Sequence, residues 1–341
     1  MRTGLFCTYE NPQGDYASAY AEQTELVQLI ETLGFDEAWV AEHHFNPNAA
    51  SPSCLCVLNY LAARTSRLRL GSAAVLLPFR NPIQVAEDVA TLDILSQGRF
   101  DFGIAKGGPF PLQNKHFEVS KEESRSRAIE ALSLIQRLFS EDDVHFKGEF
   151  FNVEGVSLTP KPLQKPVPTF IGTSTADAVA WAAQHHLGVM GAPPFPVERL
   201  KENLQLYRQA ADGADPRLVL IRFYHVAATR EQAEVEAGEC LRPFIERMRA
   251  TTPTHQPDWT AWLELTRIVE DSLIGTAADI RDKILKFETD LAPYSLILKP
   301  LSPSFARRRA DLECFAREIW PLCDGSQAGV PSIQSSRRNK I

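Results

Sequence analysis

Strand-like and helix-like segments alternate eight times along this chain of 341 residues, and this alternation restricts the fold more than any other feature. The strand-like runs, for example AAVLL at 73–77, are apolar at consecutive positions, as parallel strands are when helices cover both faces of their sheet. An amphipathic segment follows each run, and the first one, residues 16–33, ends at Gly34, a typical residue after a helix C-terminus. We predict strands at residues 2–8, 36–43, 68–76, 99–106, 167–173, 187–191, 218–227 and 294–300.

Repeated strand–helix units in a chain of this length favour the α/β class and, within it, a (β/α)8 TIM barrel over a doubly wound sheet. A doubly wound dinucleotide-binding sheet typically carries a GxGxxG turn after its first strand. Here that turn reads YENPQG at 9–14, so the sequence does not support such a sheet. We predict one barrel domain over residues 1–323.

Three segments depart from the simple repeat. Residues 145–162 have the pattern of a short hairpin inserted after the fourth helix, with Gly148 at its turn. Residues 249–273 predict a long loop before the last strand, and this loop is either a surface linker or an active-site lid. Residues 324–341 contain few apolar side chains, which predicts a disordered C-terminal tail.

Charge and cysteine usage exclude several functional classes. The net charge is -7, from 36 basic and 43 acidic residues, which argues against a surface for nucleic acid or anionic membranes. No apolar run approaches the roughly 18 to 20 residues that span a bilayer, and the chain begins without a charged-then-apolar leader, so we expect a cytoplasmic protein. The 6 cysteines are scattered, and Cys54 and Cys56 have no second Cys/His pair at zinc-like spacing, so no metal site is predicted.

Active sites of TIM barrels lie at the C-terminal ends of the strands, and several predicted strands end in polar residues. The second strand runs into Glu42-His43-His44, and adjacent side chains of a strand point to opposite faces, so the two histidines have different roles. The sequence GTST at 172–175 opens a helix, where Ser and Thr are ordinarily N-caps. Together with the cations of Lys106 and Arg127, however, these hydroxyls and backbone N–H groups predict a phosphate-binding cradle.

Five segments follow one another along the chain: EHHF at 42–45, GSAAVLLP at 71–78, DILSQGRFDFGIAKG at 93–107, SRA at 126–128 and WAA at 181–183. In this order and spacing they resemble the bacterial luciferase-like flavin monooxygenases, and the luciferase alpha subunit in particular. The resemblance extends in detail from residue 2 to about residue 190, and more loosely to about residue 322. It implies a (β/α)8 barrel that binds reduced FMN at its mouth and uses O2 as co-substrate.

The resemblance also implies roles for single residues. His44 matches the catalytic histidine, which acts as acid, base and hydrogen-bond donor near the flavin, chemistry suited to an imidazole. His43 is interpreted as a structural residue that faces away from the site. Ala73 and Ala74 match a position where a non-prolyl cis peptide lies under the flavin ring.

The phosphate of the cofactor is expected to contact four further positions. Lys106 and Arg127 match the basic residues of the family, and Ser174 and Thr175 match the remaining phosphate contacts. Lys106 stands where the alpha subunit has an arginine, so the phosphate would meet a point charge instead of a bidentate fork.

Two other positions differ from the luciferase alpha subunit. Ala105 replaces its reactive cysteine, so light emission is not implied. His116 stands near a luciferase aspartate, and we interpret it as a loop residue rather than a second acid or base.

The function expected from the resemblance is that of a two-component flavin-dependent monooxygenase, which oxygenates a small apolar organic substrate through a peroxyflavin intermediate. No nicotinamide site is visible, so reduced FMN would come from a separate NAD(P)H-dependent flavin reductase. A homodimer is the default assembly. Two alternatives stay open: a deazaflavin-dependent oxidoreductase on the same barrel, and a non-catalytic flavin-binding protein, against which the presence of His44 argues.

Overall fold

Eight parallel strands close into a barrel in the structure, a computed structural model that describes residues 1–10, 14–108, 110–251 and 261–323. Each barrel strand pairs with the next one along the chain, and the last pairs with the first. This closure confirms the predicted (β/α)8 barrel and its eight strands. With strands numbered in chain order, the barrel consists of β1 (Arg2–Cys7), β2 (Glu37–Val40), β3 (Arg69–Ser72), β5 (Phe100–Ala105), β8 (Thr169–Gly172), β9 (Gly188–Gly191), β10 (Leu218–Val226) and β12 (Ser295–Pro300).

Four further strands complete the sheets of the described residues. Strand β4 (Val75–Leu76) continues the chain beyond β3 and pairs with β5. Strands β6 (Val144–Lys147) and β7 (Asn152–Val156) pair antiparallel and form the predicted hairpin, with Gly148 in the connection. Strand β11 (Leu273–Gly275), which was not predicted, pairs with the end of β10 outside the barrel circuit.

Helices follow the barrel strands and cover them from outside, as the alternation predicted. None of the described helices combines the length and the apolar character needed to cross a bilayer. A 3-10 turn at Leu77–Phe79 and a π turn at Phe315–Ile319 occur in addition. The helices are α1 (Tyr16–Thr32), α2 (Cys54–Arg64), α3 (Pro82–Leu95), α4 (Pro111–His116), α5 (Ser124–Ser140), α6 (Ala176–Gln184), α7 (Val197–Ala210), α8 (Arg230–Thr251), α9 (Leu265–Glu270), α10 (Ala277–Leu291), α11 (Phe305–Cys314) and α12 (Trp320–Cys323).

The region before the last strand is more regular than the predicted long loop at 249–273. Helix α8 continues to Thr251, and α9 occupies Leu265–Glu270. Residues 252–260 lie outside the described part of the chain, as does the predicted tail at 324–341. The assignment of residues 1–323 to a single domain stays a prediction.

The interior of the barrel is packed with large side chains at the level of the strands. Trp39 is fully buried, and its indole N–H donates to Glu37 Oε2 at 2.8 Å. Its ring meets the ring of Phe170 edge-on, with centroids 5.4 Å apart. A Cβ atom at Gly71 would lie 2.2 Å from the indole, so only glycine on β3 leaves room for this tryptophan. Because the barrel is filled at this level, a bound molecule would lie above this layer, toward the C-terminal ends of the strands.

Candidate active site

The C-terminal ends of the barrel strands surround a cavity of about 680 Å³. This is the position at which a TIM barrel carries its active site, because the loops after the strands converge there. Arg127 is the one predicted site residue that the cavity lining does not include. The predicted site residues that do line the cavity are His44, Ala73, Ala74, Lys106, Ser174 and Thr175.

His44 is held at the cavity wall by a buried carboxylate. Its Nε2 lies 2.8 Å from Glu42 Oε1, and only 13% of its side chain is exposed. Arg80 forms an ion pair with the other oxygen of Glu42 at 3.0 Å, and the Cys54 thiol donates to that oxygen at 3.3 Å. With Nε2 bound to an acceptor, Nδ1 is the ring atom of His44 left to exchange a proton in the cavity.

These contacts keep Glu42 ionised although it is buried. Burial by itself raises the pKa of this carboxyl, but the hydrogen bond with His44 and the positive charge of Arg80 outweigh it, so the pKa lies below its usual value. A carboxylate that stays charged favours the proton on the adjacent imidazole nitrogen and fixes the orientation of the ring. Glu42 therefore positions His44.

His43 also lines the cavity, contrary to the expectation that it faces away. The expectation assumed strand geometry, but β2 ends at Val40, so the alternation of faces no longer applies at residue 43. The backbone N–H of His43 donates to Ser51 O at 3.1 Å, which fixes the irregular segment. Its Nδ1 is buried and has no hydrogen-bond partner among the described residues.

The neutral state of His43 makes stability depend on pH. Burial lowers the pKa of His43 from 6.5 to about 4, and the positive charge of Lys299 lowers it as well, against smaller opposing contributions from Glu10 and Glu42. The unfolded chain takes up this proton near pH 6.5, whereas the folded chain takes it up only near pH 4. The folded state is therefore favoured fully above pH 6.5 and loses stability as the pH falls toward 4.

We expect His43→Gln to reduce this loss of stability on acidification, because the variant has no imidazole to protonate. Urea unfolding at pH values above 6.5 and near 4 measures the change in the free energy of unfolding for each protein. The control His116→Gln removes an exposed histidine and should retain the full pH dependence of the wild type. An equal loss of stability in wild type and His43→Gln would contradict the assignment.

The opposite wall of the cavity contains the start of α6, which follows β8. Thr175 occupies the N-cap position, yet its side chain makes no capping hydrogen bond, so the first backbone N–H groups of the helix are not satisfied by it. Its backbone N–H instead donates to Thr173 Oγ1 at 3.3 Å. Thr173, Ser174 and Thr175 all line the cavity. Hydroxyls, the backbone N–H groups of a helix N-terminus and the positive end of a helix dipole suit an anion such as a phosphate.

Two cations lie beside this helix start. Lys106, at the end of β5, and Arg125, on α5, both line a small recess that adjoins the cavity at Thr173. Burial lowers the pKa of Lys106, and the positive charges of Arg125 and Lys121 lower it further. No carboxylate forms an ion pair with Lys106 in the described ranges of the chain, so this concentration of positive charge is suited to a bound anion.

Arg127 points to a different part of the molecule. Its Nε donates to Pro78 O at 3.0 Å, and its guanidinium lies over the rings of Phe150 and Phe151, 5.6 and 5.0 Å from their centroids. Residues two apart on an α-helix are separated by roughly 200°, so Arg125 and Arg127 lie on opposite faces of α5. The sequence SRSRA at 124–128 contains the Ser-Arg pair twice, and sequence reasoning selected the second.

The part of the cavity wall between His44 and the two cations is apolar and consists of small side chains and backbone. The peptide bond between Ala73 and Ala74 is cis, as the resemblance implied. Ala73, Ala74 and Ala105 present only methyl groups to the cavity. A flat aromatic group can lie against such a surface without meeting a large side chain.

The C-terminal end of α8 forms the outer rim of the cavity through Phe244, Arg247, Met248 and Thr251. Leu263 follows residues 252–260 along the chain, and its backbone O accepts a hydrogen bond from Arg249 Nη2 at 3.1 Å. The chain therefore contacts α8 again at this point. Since residues 252–260 lie outside the described part, the lid function stays a prediction. His116 ends α4, a short helix and not a loop, and it is exposed and absent from the cavity lining.

Known proteins resemble this chain over almost its full length. The model of the luciferase-like monooxygenase family matches residues 1–292. The alkanal monooxygenase alpha chain of Photorhabdus luminescens is 31% identical over 96% of this chain and 91% of that protein. The oxygenase component of flavin-dependent trigonelline monooxygenase from Acinetobacter baylyi is 26% identical over 96% of this chain and 97% of that protein. Among solved structures, the monooxygenase RslO1 from Streptomyces bottropensis has a TM-score of 0.81 at 28% identity, covering 94% of this chain and 99% of its own.

Proposed function

Because the chain belongs to the luciferase-like monooxygenase family, we propose that it is the oxygenating component of a two-component flavin monooxygenase. In this proposal reduced FMN is supplied by a separate NAD(P)H-dependent flavin reductase, and O2 is the co-substrate. The substrate is a small organic compound that is mainly apolar, and it is oxygenated through a peroxyflavin. A relative whose name specifies an oxygenase component supports the division of labour between two proteins.

The observation that carries the proposal is the concentration of anion-binding groups on one side of the cavity, next to an apolar stretch of its wall. Lys106, Arg125 and the start of α6 offer two cations, hydroxyls and backbone N–H groups to a phosphate. These donors fit the phosphate of FMN, and the methyl surface of Ala73, Ala74 and Ala105 fits a flat ring system. A cofactor that carries both a phosphate and a flat ring system suits both features.

The chain's own residues would then contribute binding, exclusion of water and proton transfer. Reduced FMN, when bound, supplies the electrons that activate O2. The apolar side chains around the cavity, among them Phe223 and Phe244, keep water away from the reacting atoms. His44 would hold or move a proton at Nδ1, while Glu42 keeps its Nε2 bound and the ring oriented. Ser174 and Thr175 would contact the phosphate, as the resemblance implies.

Flavin binding and flavin oxidation together test the proposal. We expect the purified protein to bind reduced FMN under anaerobic conditions, and we expect oxidised-flavin absorbance to return more slowly after mixing with oxygenated buffer than it does with free FMN. The physical reason is that a dry cavity slows the loss of activated oxygen as hydrogen peroxide. Stopped-flow absorbance with and without protein makes the comparison directly.

Other outcomes of this experiment identify the alternatives. Binding of a deazaflavin without binding of FMN would replace the monooxygenase proposal by a deazaflavin-dependent oxidoreductase. FMN binding with oxidised flavin returning as fast as it does for free FMN would indicate a non-catalytic flavin-binding protein. The homodimer and the cytoplasmic location stay predictions from the sequence.

A further inference from the structure

A second polar cluster lines the same cavity and has no part in the roles assigned so far. Lys299, at the end of β12, donates to Glu10 Oε1 at 2.5 Å and to Thr8 Oγ1 at 3.1 Å. Lys299, Glu10 and Thr8 all line the cavity, and His43 lines it as well. The polar-pole cluster, as we name these four residues, brings together the ends of β12, β1 and β2.

The polar-pole cluster lies across the barrel from the proposed phosphate site. Around the closed sheet the strands follow in the order β1, β2, β3, β5, β8, β9, β10 and β12. Lys106 and the start of α6 come from β5 and β8, whereas Lys299 and Glu10 follow β12 and β1, on the opposite side of this circuit. A cofactor whose phosphate contacts β5 and β8 therefore leaves the polar-pole cluster available to another molecule.

The hydrogen-bonding capacity of the polar-pole cluster is only partly used within the protein. An ammonium group has three donors, and two of those on Lys299 have acceptors, Thr8 and Glu10, in the described part of the chain. The Glu10 side chain remains 38% exposed although its partner Lys299 is only 10% exposed, so the carboxylate borders open space. The buried Nδ1 of His43 adds another polar atom without a partner among the described residues.

A partly buried ion pair of this kind selects against charged ligands. A second carboxylate placed beside Lys299 would also lie beside Glu10, and an ammonium beside Glu10 would also lie beside Lys299. A neutral group avoids both repulsions and still finds a donor and an acceptor next to each other. The nearby lining residues Ile221, Phe223 and Phe244 are apolar and suit the hydrocarbon part of such a molecule.

We propose that the polar-pole cluster binds the polar end of the substrate, and that this end is a neutral group whose donor nitrogen and acceptor oxygen are bonded to the same carbon, such as a carboxamide or a lactam. The assignment of the bound molecule as substrate rests on the proposed function. The proposal refines the expected small apolar compound into one that is apolar along most of its length and carries one neutral hydrogen-bonding end.

Three small probes of the same shape test the preference: benzamide, benzoate and isopropenylbenzene. Their dissociation constants are measured by saturation-transfer NMR on the full chain without added flavin. The variant Glu10→Leu/Lys299→Met removes both charges at once, so neither is left unpaired. The control Lys201→Met removes a lysine that, like Lys299, forms an ion pair with a carboxylate. Lys201 pairs with Glu198 and Asp290 and does not line the cavity.

We expect the double variant to bind benzamide about tenfold more weakly than the wild type, or about 1.4 kcal/mol. Isopropenylbenzene should change by less than about twofold, because it makes no hydrogen bond to lose. Lys201→Met should match the wild type for every probe. Unchanged benzamide affinity in the double variant would overturn the proposal. Benzoate binding that is tighter than benzamide binding and is lost in the double variant would also overturn it, since the cluster would then be an anion site.

A measurement on nearly native protein covers the case in which the double variant does not fold. Benzamide bound at the polar-pole cluster should show nuclear Overhauser contacts with the methyl group of Thr8. The signal is assigned with Thr8→Ser, which removes the methyl group and keeps the hydroxyl. Absence of these contacts would overturn the proposal. Because no flavin is used, failure of the probes and failure of the flavin-oxidation experiment are separate results: either the substrate class or the proposed function can fall alone.

Discussion

His44→Ala should lower the yield of oxygenated product per flavin oxidised by about a hundredfold or more, while the dissociation constant for FMN changes by less than about twofold. The substitution removes the imidazole whose Nδ1 is left to exchange a proton in the cavity. It leaves the groups on the opposite wall, Lys106 and the start of α6, unchanged. Product and hydrogen peroxide are measured in single turnovers with any substrate that the wild type oxygenates, and FMN affinity is measured by fluorescence titration.

The matched control is His145→Ala, which removes an exposed histidine on the hairpin and should behave as wild type. Glu42→Gln should reproduce part of the His44→Ala loss with unchanged FMN affinity, because a neutral amide holds Nε2 less firmly than a carboxylate does. If His44→Ala retained the wild-type product yield, or if it did not fold, His44 would be a packing residue and the assignment would fail.

Arg125→Ala should weaken FMN binding by roughly 10- to 100-fold, because it removes a charge-assisted contact to the phosphate. Arg127→Ala should change FMN affinity by less than about twofold, since the guanidinium of Arg127 lies over Phe150 and Phe151 and Arg127 lines neither the cavity nor the recess beside Lys106. Both variants lose the same chemical group, a guanidinium, at positions two residues apart, so each is the matched control of the other. Fluorescence titration with FMN and with riboflavin, which has no phosphate, measures the effect.

Riboflavin isolates the phosphate contribution. Its affinity should be equal for wild type and Arg125→Ala, because Arg125 lies beside Thr173 and Lys106 and not beside the methyl surface proposed for the ring. The reverse result, a large loss of FMN affinity in Arg127→Ala and none in Arg125→Ala, would restore the interpretation made from the sequence. Ionic strength should weaken FMN binding in the wild type more than in Arg125→Ala.

The barrel could be predicted because its strands are buried on both faces and therefore read as consecutive apolar residues. The same rule fails for short or solvent-exposed elements. Strand β11 has only three residues, too few for any periodicity. Helix α10 was missed although its start carries a capping box, in which Thr276 and Asp279 bond to each other's backbone N–H. That signal was present in the sequence and could have located the helix.

The candidate site could be located from sequence only to the level of the strand ends. His44, Ala73, Ala74, Lys106, Ser174 and Thr175 line the cavity together, because the C-terminal ends of parallel strands converge. The directions in which individual side chains point could not be predicted from the sequence. The end of β2 at Val40 decides that His43 turns inward, and the phase of α5 decides that Arg125, and not Arg127, lines the recess beside Lys106. An apolar run does not determine the residue at which a strand ends. A repeated dipeptide such as Ser-Arg does not determine which of its two arginines a helix turns toward a binding site.

The carboxylate of Glu42 is a meeting point of three stretches of chain that are distant in sequence. The end of β2 supplies Glu42 and His44, the start of α2 supplies Cys54, and the segment before α3 supplies Arg80. Neither Cys54 nor Arg80 is part of the cavity lining, yet both contact the group that orients the histidine. A substitution of Cys54 or Arg80 therefore acts on the orientation of His44 through Glu42, from positions outside the lining of the cavity.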